Sequence, residues 1–470
     1  MFFSIYTLGC KVNQIESEAI AAAFRDAGFT ALPWGAPLDG TNAPILVINT
    51  CTVTSKAEQK ARRLIRNALR LPCAALIVSG CYAELDVHNI AELATEEPDL
   101  APLFVLGGGG KDTLLDLPGF LAAKVKDAPL TTLVSQWLNR TLVSDTSKPP
   151  PPTLVSGTND AAFRFNMADF SFHSRASLKI QDGCDHRCSY CRVCLARGKS
   201  VSIEPQKALT SLRLLEEKGY AEATLTGINI GQYRSCGFDL GALIAYLLAE
   251  TQAIRLRLSS LEPDSLSEGF IKALASPRIR PHFHLSVQSG SPIILQRMAR
   301  PYQVQAIKHG IALLRSVKTD PFLACDIITG FPGETDMAFE ETWSLCRRVG
   351  FAWIHAFPYS PRPGTMAYSF TGHVSERTAG ARVERLLTLA REGRRAYTSR
   401  WLGKTVEAIV ETHEDPRMAS AVSENYLKLR IPRNTETPLK PGTLIHCRLS
   451  GQPESESKDN TNFDALAQAL

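Results

Sequence analysis

The sequence predicts an α/β protein in three parts: an N-terminal parallel-sheet α/β domain, a partial (β/α)6 barrel and a small C-terminal antiparallel β-barrel. Three observations carry this. The chain has 470 residues, enough for about three domains. Short apolar runs alternate with helical patterns from Phe2 to Arg400. After Arg400 the runs become short and β-rich, with Pro432, Pro438, Pro441 and Gly442 between the last two.

In the first part, Phe2–Leu8, Ile45–Thr50, Ala74–Ser79 and Leu103–Leu106 read as buried strands. Residues 15–27, 55–70 and 84–94 read as helices, with Ser55 and Glu58 spaced as a capping box. Pro149 to Pro152 and the polar run after them mark a linker. Six β/α units follow. Their strands are Ser177–Gln181, Glu222–Thr226, Arg255–Ser259, His282–Val287, Phe322–Ile328 and Trp353–Tyr359. Helical patterns fall near 205–218, 239–250, 265–275, 302–316, 335–348 and 376–399. The last part offers Val406–Glu411, Ala419–Ser423, Tyr426–Ile431 and Leu444–Leu449 as strands. The expected boundaries are 1–147, a linker at 148–165, a core at 166–400, the small barrel at 401–452 and a disordered tail at 453–470.

Composition narrows the class. Hydrophobic residues at 44% and charged residues at 21% exclude a wholly disordered, collagenous or coiled-coil chain. No run approaches the roughly 20 apolar residues of a membrane span. Leu8-Gly9-Cys10 resembles a lipoprotein cleavage site only faintly, because no Lys or Arg precedes the short apolar run. The chain therefore reads as cytoplasmic. In that reducing compartment the twelve cysteines read as metal ligands, catalytic thiols or small buried residues rather than disulfides. The net charge of +5 leaves the choice of partner to local patches.

The strongest signal is Gly183-Cys184-Asp185-His186-Arg187-Cys188-Ser189-Tyr190-Cys191, a loop that follows the first barrel strand. Three cysteines this close can hold three corners of a 4Fe–4S cluster and leave one iron for another ligand. A four-cysteine zinc or ferredoxin-like site that includes Cys194 is the competing reading. Position favours the first, because barrel enzymes place their chemistry at these strand ends. Cys10, Cys51 and Cys81 each follow a predicted strand of the first part, where parallel sheets gather their ligands. Cys73, Cys236, Cys325, Cys346 and Cys447 fit small buried residues better.

The Cys-x3-Cys-x-aromatic-Cys pattern resembles the radical S-adenosylmethionine superfamily. Thr7-Leu8-Gly9-Cys10-Lys11-Val12-Asn13-Gln14, Asn49-Thr50-Cys51-Thr52 and Ser79-Gly80-Cys81-Tyr82 resemble the N-terminal domain of the methylthiotransferases within it. Leu225-Thr226-Gly227, Ser286-Val287-Gln288 and Asp326-Ile327-Ile328-Thr329-Gly330-Phe331-Pro332-Gly333-Glu334 continue the likeness. The C-terminal part resembles a TRAM domain, an RNA-binding β-barrel. Gly9-Cys10-Lys11-Val12-Asn13-Gln14 and Glu424-Asn425-Tyr426-Leu427-Lys428 resemble the branch acting on N6-threonylcarbamoyladenosine beside the tRNA anticodon, at position 37. One departure stands at Cys194, where the family usually carries proline.

The resemblance implies two 4Fe–4S clusters, one on Cys184, Cys188 and Cys191, the other on Cys10, Cys51 and Cys81. It implies S-adenosylmethionine as cofactor, a tRNA anticodon stem-loop as substrate, an electron donor, a sulfur source and no membrane. Tyr190, Thr226, Gly227, Gln288, Arg297, Asp326 and Gly330 are its cofactor-contact residues; without the resemblance, Thr226-Gly227 reads as a strand-to-loop turn and Arg297 as a solvated side chain. Sibling enzymes acting on isopentenyladenosine or on a ribosomal-protein aspartate are the near alternatives. An iron–sulfur RNA-binding or electron-transfer protein is the distant one. Basic residues from Lys56 to Arg70, from Arg377 to Arg400, and Lys428, Arg430 and Arg433 beside Tyr426 fit an RNA partner.

Overall fold

A computed structural model describes residues 1–36, 43–95, 100–142, 161–167, 170, 174–411, 415, 417–433, 439–452 and 463–470. It divides into two compact units. The first comprises Met1–Met167, Asp182–Asp185 and Cys191–Ile203; the second comprises Ala168–Gln181, His186–Tyr190 and Glu204–Leu470.

The first unit is built on a parallel five-stranded sheet ordered Thr30–Ala31, Phe2–Thr7, Ile45–Thr50, Ala75–Gly80, Leu103–Leu106. Its central strands are apolar on both faces because both faces are covered. Ile45, Val47 and Ile77 pack with Ile20, Phe24 and Leu121 on one side. Leu46, Ile48 and Val78 pack with Ala61, Ile65 and Ile90 on the other. The first helix starts at Lys11, four residues before the expected start. Asn13, Glu16 and Ser17 are buried polar residues that interrupt the apolar period there. The second helix is capped by Thr54, whose side chain accepts from the Ala57 N–H at 3.1 Å, rather than by Ser55. The expected helix over 84–94 is broken at Asp86 into Cys81–Leu85 and Val87–Ala91.

Two expected boundaries change. Pro149 to Pro152 lie outside the described residues, but the end of the expected linker is core: Phe165 packs in the first apolar cluster. Residues 453–462 also lie outside the described residues. The rest of the expected disordered tail is a strand, Ala465–Ala469. Its alternate residues Ala465 and Ala467 are buried, and it completes a closed five-stranded barrel. Closure removes an open edge, which is what the strand gains by pairing. The pairing is parallel to Lys428–Pro432 and antiparallel to Leu444–Gly451, so the small barrel has one parallel pair.

The second unit contains the six expected β/α strands in chain order. Ala176–Lys179, Glu222–Thr226 and Arg255–Leu258 form one parallel sheet. His282–Gln288, Phe322–Thr329 and Trp353–Pro358 form the other. Parallel bridges Leu256–Ile279 and Leu261–Leu285 join their neighbouring ends. The small barrel meets the N-terminal ends of these strands. Arg257 pairs with Glu222 at 2.6 Å and donates to the carbonyls of Ser423 and Glu424. Arg280 bridges Glu222 and Glu407, each at 2.7 Å. Tyr426 stacks on His282 at 4.0 Å. Its φ of 65° also explains why the third barrel strand starts at Lys428 rather than at Tyr426.

Candidate functional site

Three adjacent parallel strands of the first unit end in register, Thr7 beside Asn49 and Thr50 beside Gly80. A cysteine follows each end within three residues. Cys10 caps the helix Lys11–Asp26 and is exposed; Cys51 and Cys81 are buried. Burial pushes the Cys51 thiol up to about 11, and the neighbouring Cys10 and Cys81 add to the rise. The three predicted thiols are therefore brought together. Two glycines make this approach possible. A Cβ on Gly9 would lie 2.9 Å from the Cys51 Cβ, and one on Gly80 would lie 2.3 Å from the Thr50 carbonyl. Both have positive φ, 119° and 102°.

A buried polar network holds the strand ends. Asn13 Nδ2 donates to the carbonyls of Leu8 and Thr50, each at 2.9 Å. Asn49 Nδ2 donates to the Asn13 carbonyl at 3.0 Å and to Ser17 Oγ at 3.1 Å. Thr50 Oγ1 donates to the Ser79 carbonyl at 2.6 Å. Two buried cations face the thiols. Lys111 donates to Glu16 and, at 3.0 Å, to Asn49 Oδ1. Arg197 Nε donates to Cys81 Sγ at 3.2 Å, while its other nitrogens reach Asn13, Glu16 and Asp182 at 2.9, 3.0 and 3.1 Å. Burial works against the Arg197 charge, but Asp182, Cys81 and Glu16 outweigh it and hold its pKa well above the ordinary value. Burial pushes the Cys81 thiol up, against the pull of Arg197 and Lys111. No expectation from the sequence covered Glu16, Lys111 or Arg197 in these roles. Their signal was faint: Glu16 lies three residues from Asn13, on the same helix face.

The second cysteine constellation lies in the loop after Gln181–Asp182. Cys188 Sγ accepts from Arg300 at 3.0 Å; Arg300 also pairs with Glu262 at 2.7 Å. Glu262 sits 3.0 Å from His186 and holds that imidazole's pKa above its ordinary value, against burial. Cys191 Sγ accepts from the Val193 N–H at 3.4 Å. The Cys194 thiol is turned instead onto the Cys191 carbonyl, at 3.8 Å. Thiols that receive N–H or cationic donors suit iron–sulfur ligation, where hydrogen bonds to sulfur tune the cluster. Cys81, Cys188 and Cys191 receive such donors and have the chemistry that group requires. Among the described residues, no three His, Cys, Asp or Glu side chains gather around a single metal ion.

The remaining predicted residues have local partners. Tyr190 joins an apolar cluster with Phe331, Ile294 and Met298. Thr226 accepts from the Ile180 N–H at 2.9 Å. Gly227 is bare because Gln181 fills its side; a Cβ would lie 2.7 Å from the Gln181 carbonyl. Gln288 ends its strand at φ 64°, after a register shift. Arg297 donates to the Pro332 carbonyl at 2.9 Å and lies over the Phe370 ring. Asp326 Oδ1 is taken by His284 at 2.9 Å. Gly330 has φ 70°, and a Cβ there would lie 2.5 Å from Ala379.

The basic patches fare unequally. On the helix Glu376–Trp401, Arg382, Arg385, Arg394 and Arg400 pair with Glu334, Glu340, Asp464 and Asp320. That helix is therefore largely spent on internal pairs. Tyr426 is stacked on His282, with Arg257 and Arg175 over its ring, and is not presented to a splayed base. On the helix Ser55–Leu69, by contrast, Lys56, Lys60 and Arg63 are exposed.

Two family models match the chain: the uncharacterized protein family UPF0004 over residues 3–101, and the radical SAM superfamily over residues 178–346. The threonylcarbamoyladenosine tRNA methylthiotransferase MtaB of Treponema pallidum (strain Nichols) is 39% identical, covering 95% of this chain and 98% of its own length. Its namesake from Bacillus subtilis (strain 168) is 30% identical over 97% of this chain and 95% of its own. The tRNA-2-methylthio-N(6)-dimethylallyladenosine synthase of Anaplasma marginale (strain St. Maries) is 31% identical, over 88% and 86%. Among solved structures, the radical S-adenosylmethionine methyltransferase TsrM from Kitasatospora setae shares the fold. Its TM-score is 0.51 at 15% identity, over 78% of this chain and 73% of that one.

Proposed function

As this chain belongs to the radical S-adenosylmethionine tRNA methylthiotransferase family, we propose that it converts N6-threonylcarbamoyladenosine beside the tRNA anticodon to its 2-methylthio derivative. The observation that carries this reading is the meeting of Cys10, Cys51 and Cys81 at three adjacent strand ends, in a chain that also holds the Cys184, Cys188 and Cys191 loop. Each thiol trio would hold one 4Fe–4S cluster. The cluster on Cys184, Cys188 and Cys191, with S-adenosylmethionine, supplies a 5′-deoxyadenosyl radical for hydrogen abstraction when bound.

The chain's own residues do the rest. Arg300 on Cys188, Val193 N–H on Cys191 and Arg197 on Cys81 offset thiolate charge. Asn13 and Asn49 fix the strand ends from which the thiols project. The exposed Lys56, Lys60 and Arg63 supply positive charge for an RNA backbone. An electron donor and a sulfur source complete the reaction. No helix among the described residues is long and apolar enough to cross a membrane.

The test offers anticodon stem-loops bearing threonylcarbamoyladenosine, isopentenyladenosine or plain adenosine to anaerobically reconstituted protein. Mass spectrometry of the product should find methylthio transfer to the first. Preference for the second would move the protein to the sibling branch. Activity on none, with about eight irons bound per chain for two four-iron clusters, would remove the tRNA reading. Cys194→Ala should leave that iron content unchanged.

A further inference from the structure

The last three barrel strands carry a polar cluster, His284, Asp326 and His355, of which only Asp326 was expected from the resemblance, as a cofactor contact. Side chains alternate across a strand. Leu285, Cys325 and Ile354 are fully buried. Cys325 faces Cys346 on the helix Asp336–Val349, which identifies the helix-covered side. His284, Asp326 and His355 have the opposite parity and so face the inside of the barrel. Phe322 and Tyr426 fill the N-terminal end of that interior. The three polar residues lie further along the strands, and His355 is exposed to solvent.

Their hydrogen bonds determine what they present. His284 Nε2 meets Asp326 Oδ1 at 2.9 Å, and His284 Nδ1 meets Ser260 Oγ at 3.2 Å. His284 is thus saturated on both nitrogens. Trp353 Nε1–H donates to His355 Nδ1 at 3.3 Å. Nδ1 is therefore the acceptor, and Nε2 carries the proton. Partial desolvation of the ring by its neighbours, together with His284, lowers the His355 pKa, which favours this neutral ring. The His284 and His355 rings are 5.1 Å apart. Among the described residues, His355 Nε2–H and Asp326 Oδ2 have no partner. A donor and an acceptor stand side by side on a water-accessible wall.

We propose that His355 and Asp326, held by Trp353 and by His284–Ser260, form the subsite that receives the polar N6 substituent of the substrate base and so select it over a hydrocarbon substituent. This rests on the tRNA methylthiotransferase reading. A threonylcarbamoyl group has carbonyl, carboxylate, urea N–H and hydroxyl groups. It can accept from His355 Nε2–H and donate to Asp326. An isopentenyl group can do neither and would leave both protein groups desolvated and unpaired. His355 and Asp326 are positioning and specificity residues here; they need take no part in bond cleavage.

The experiment compares kcat/KM on stem-loops bearing threonylcarbamoyladenosine and isopentenyladenosine, using one reconstituted preparation of each variant. Cluster content and cofactor turnover cancel in that ratio. His355→Phe keeps a planar ring but removes the donor, and the ratio should fall by about tenfold or more. Most of the fall should come through KM for the threonylcarbamoyl substrate. His355→Gln restores an N–H donor and should recover much of the ratio. An unchanged ratio in His355→Phe overturns the subsite. An equal fall in both variants also overturns it, because packing rather than the donor would then be at work. These outcomes are distinct from a wild-type preference for isopentenyladenosine, which would overturn the underlying threonylcarbamoyladenosine reading and move the protein to the sibling branch instead.

Discussion

Arg197 shows how much one buried side chain carries. It touches Cys81, Asp182, Glu16 and Asn13. Removing one member of a buried ionic network leaves its partners charged and unpaired, which costs about 3–5 kcal/mol. Arg197→Met should therefore lower the unfolding free energy of the anaerobic holoprotein, measured by urea titration, by an amount in that range. A shift below roughly 0.5 kcal/mol, the ordinary surface value, would show that Glu16 and Asp182 are served by other groups. Sequence reasoning reached the six cysteines because their spacing or their place after strands is a local signal. It did not reach Arg197, because an arginine in a short helix looks solvated until the fold encloses it.

Among the elements, the helix Ser55–Leu69 and the helix Glu376–Trp401 look alike in sequence, both rich in basic residues. The fold separates them. The longer helix has carboxylates opposite four of its arginines. The shorter one leaves Lys56, Lys60 and Arg63 facing solvent directly after Cys51 and its loop. Backbone phosphate contacts release counterions, so each lost contact lowers the salt dependence of binding. Replacing Lys56, Lys60 and Arg63 with Glu should weaken stem-loop affinity at 0.1 M salt by roughly tenfold or more and flatten the log–log salt slope. Equivalent changes at Arg385 and Arg400 should alter affinity little. If those affect binding as strongly, the shorter helix is not the RNA-facing element.

At the scale of the second unit, the small barrel and the larger one share an ionic joint. Arg175, Arg255, Arg257 and Arg280 meet Glu222 from the large barrel and Glu407, Glu411 and Glu424 from the small one. Truncation after Arg400 would take Glu407, Glu411 and Glu424 away from those arginines. The thermal midpoint should fall by about 5 °C or more, before any question of RNA arises. RNA-binding tests of the small barrel are therefore better made with Lys428 and Arg433, which lie on its surface. Acid probes the same joint. Burial alone would raise the Glu222 pKa, but Arg257, Arg280 and Arg175 take it down from 4.5 to about 2. A carboxylate depressed on folding contributes stability above its unfolded pKa and loses it as pH falls toward the folded value. Wild-type stability should thus drop between about pH 4.5 and 2, and Glu222→Gln should lose that part of the slope. An identical acid profile in the two proteins would show that Glu222 does not carry it.

The sequence by itself determined the order of strands and helices, the two groups of three cysteines and the α/β class. Apolar periodicity, turn residues and cysteine spacing are properties of short stretches, and short stretches specify local structure. Glutamine and acidic residues before the C-terminus concealed Ala465–Ala469, because a two-residue alternation of alanines is weak until barrel closure rewards it. Tertiary structure alone decided which charges are spent. It buried Arg197 and Lys111 beside the thiols, turned Tyr426 onto His282, and set Asp326 and His355 together on one wall. A side chain's partner is chosen by elements distant in the chain, and desolvation, which makes such pairings strong, exists only once those elements have packed.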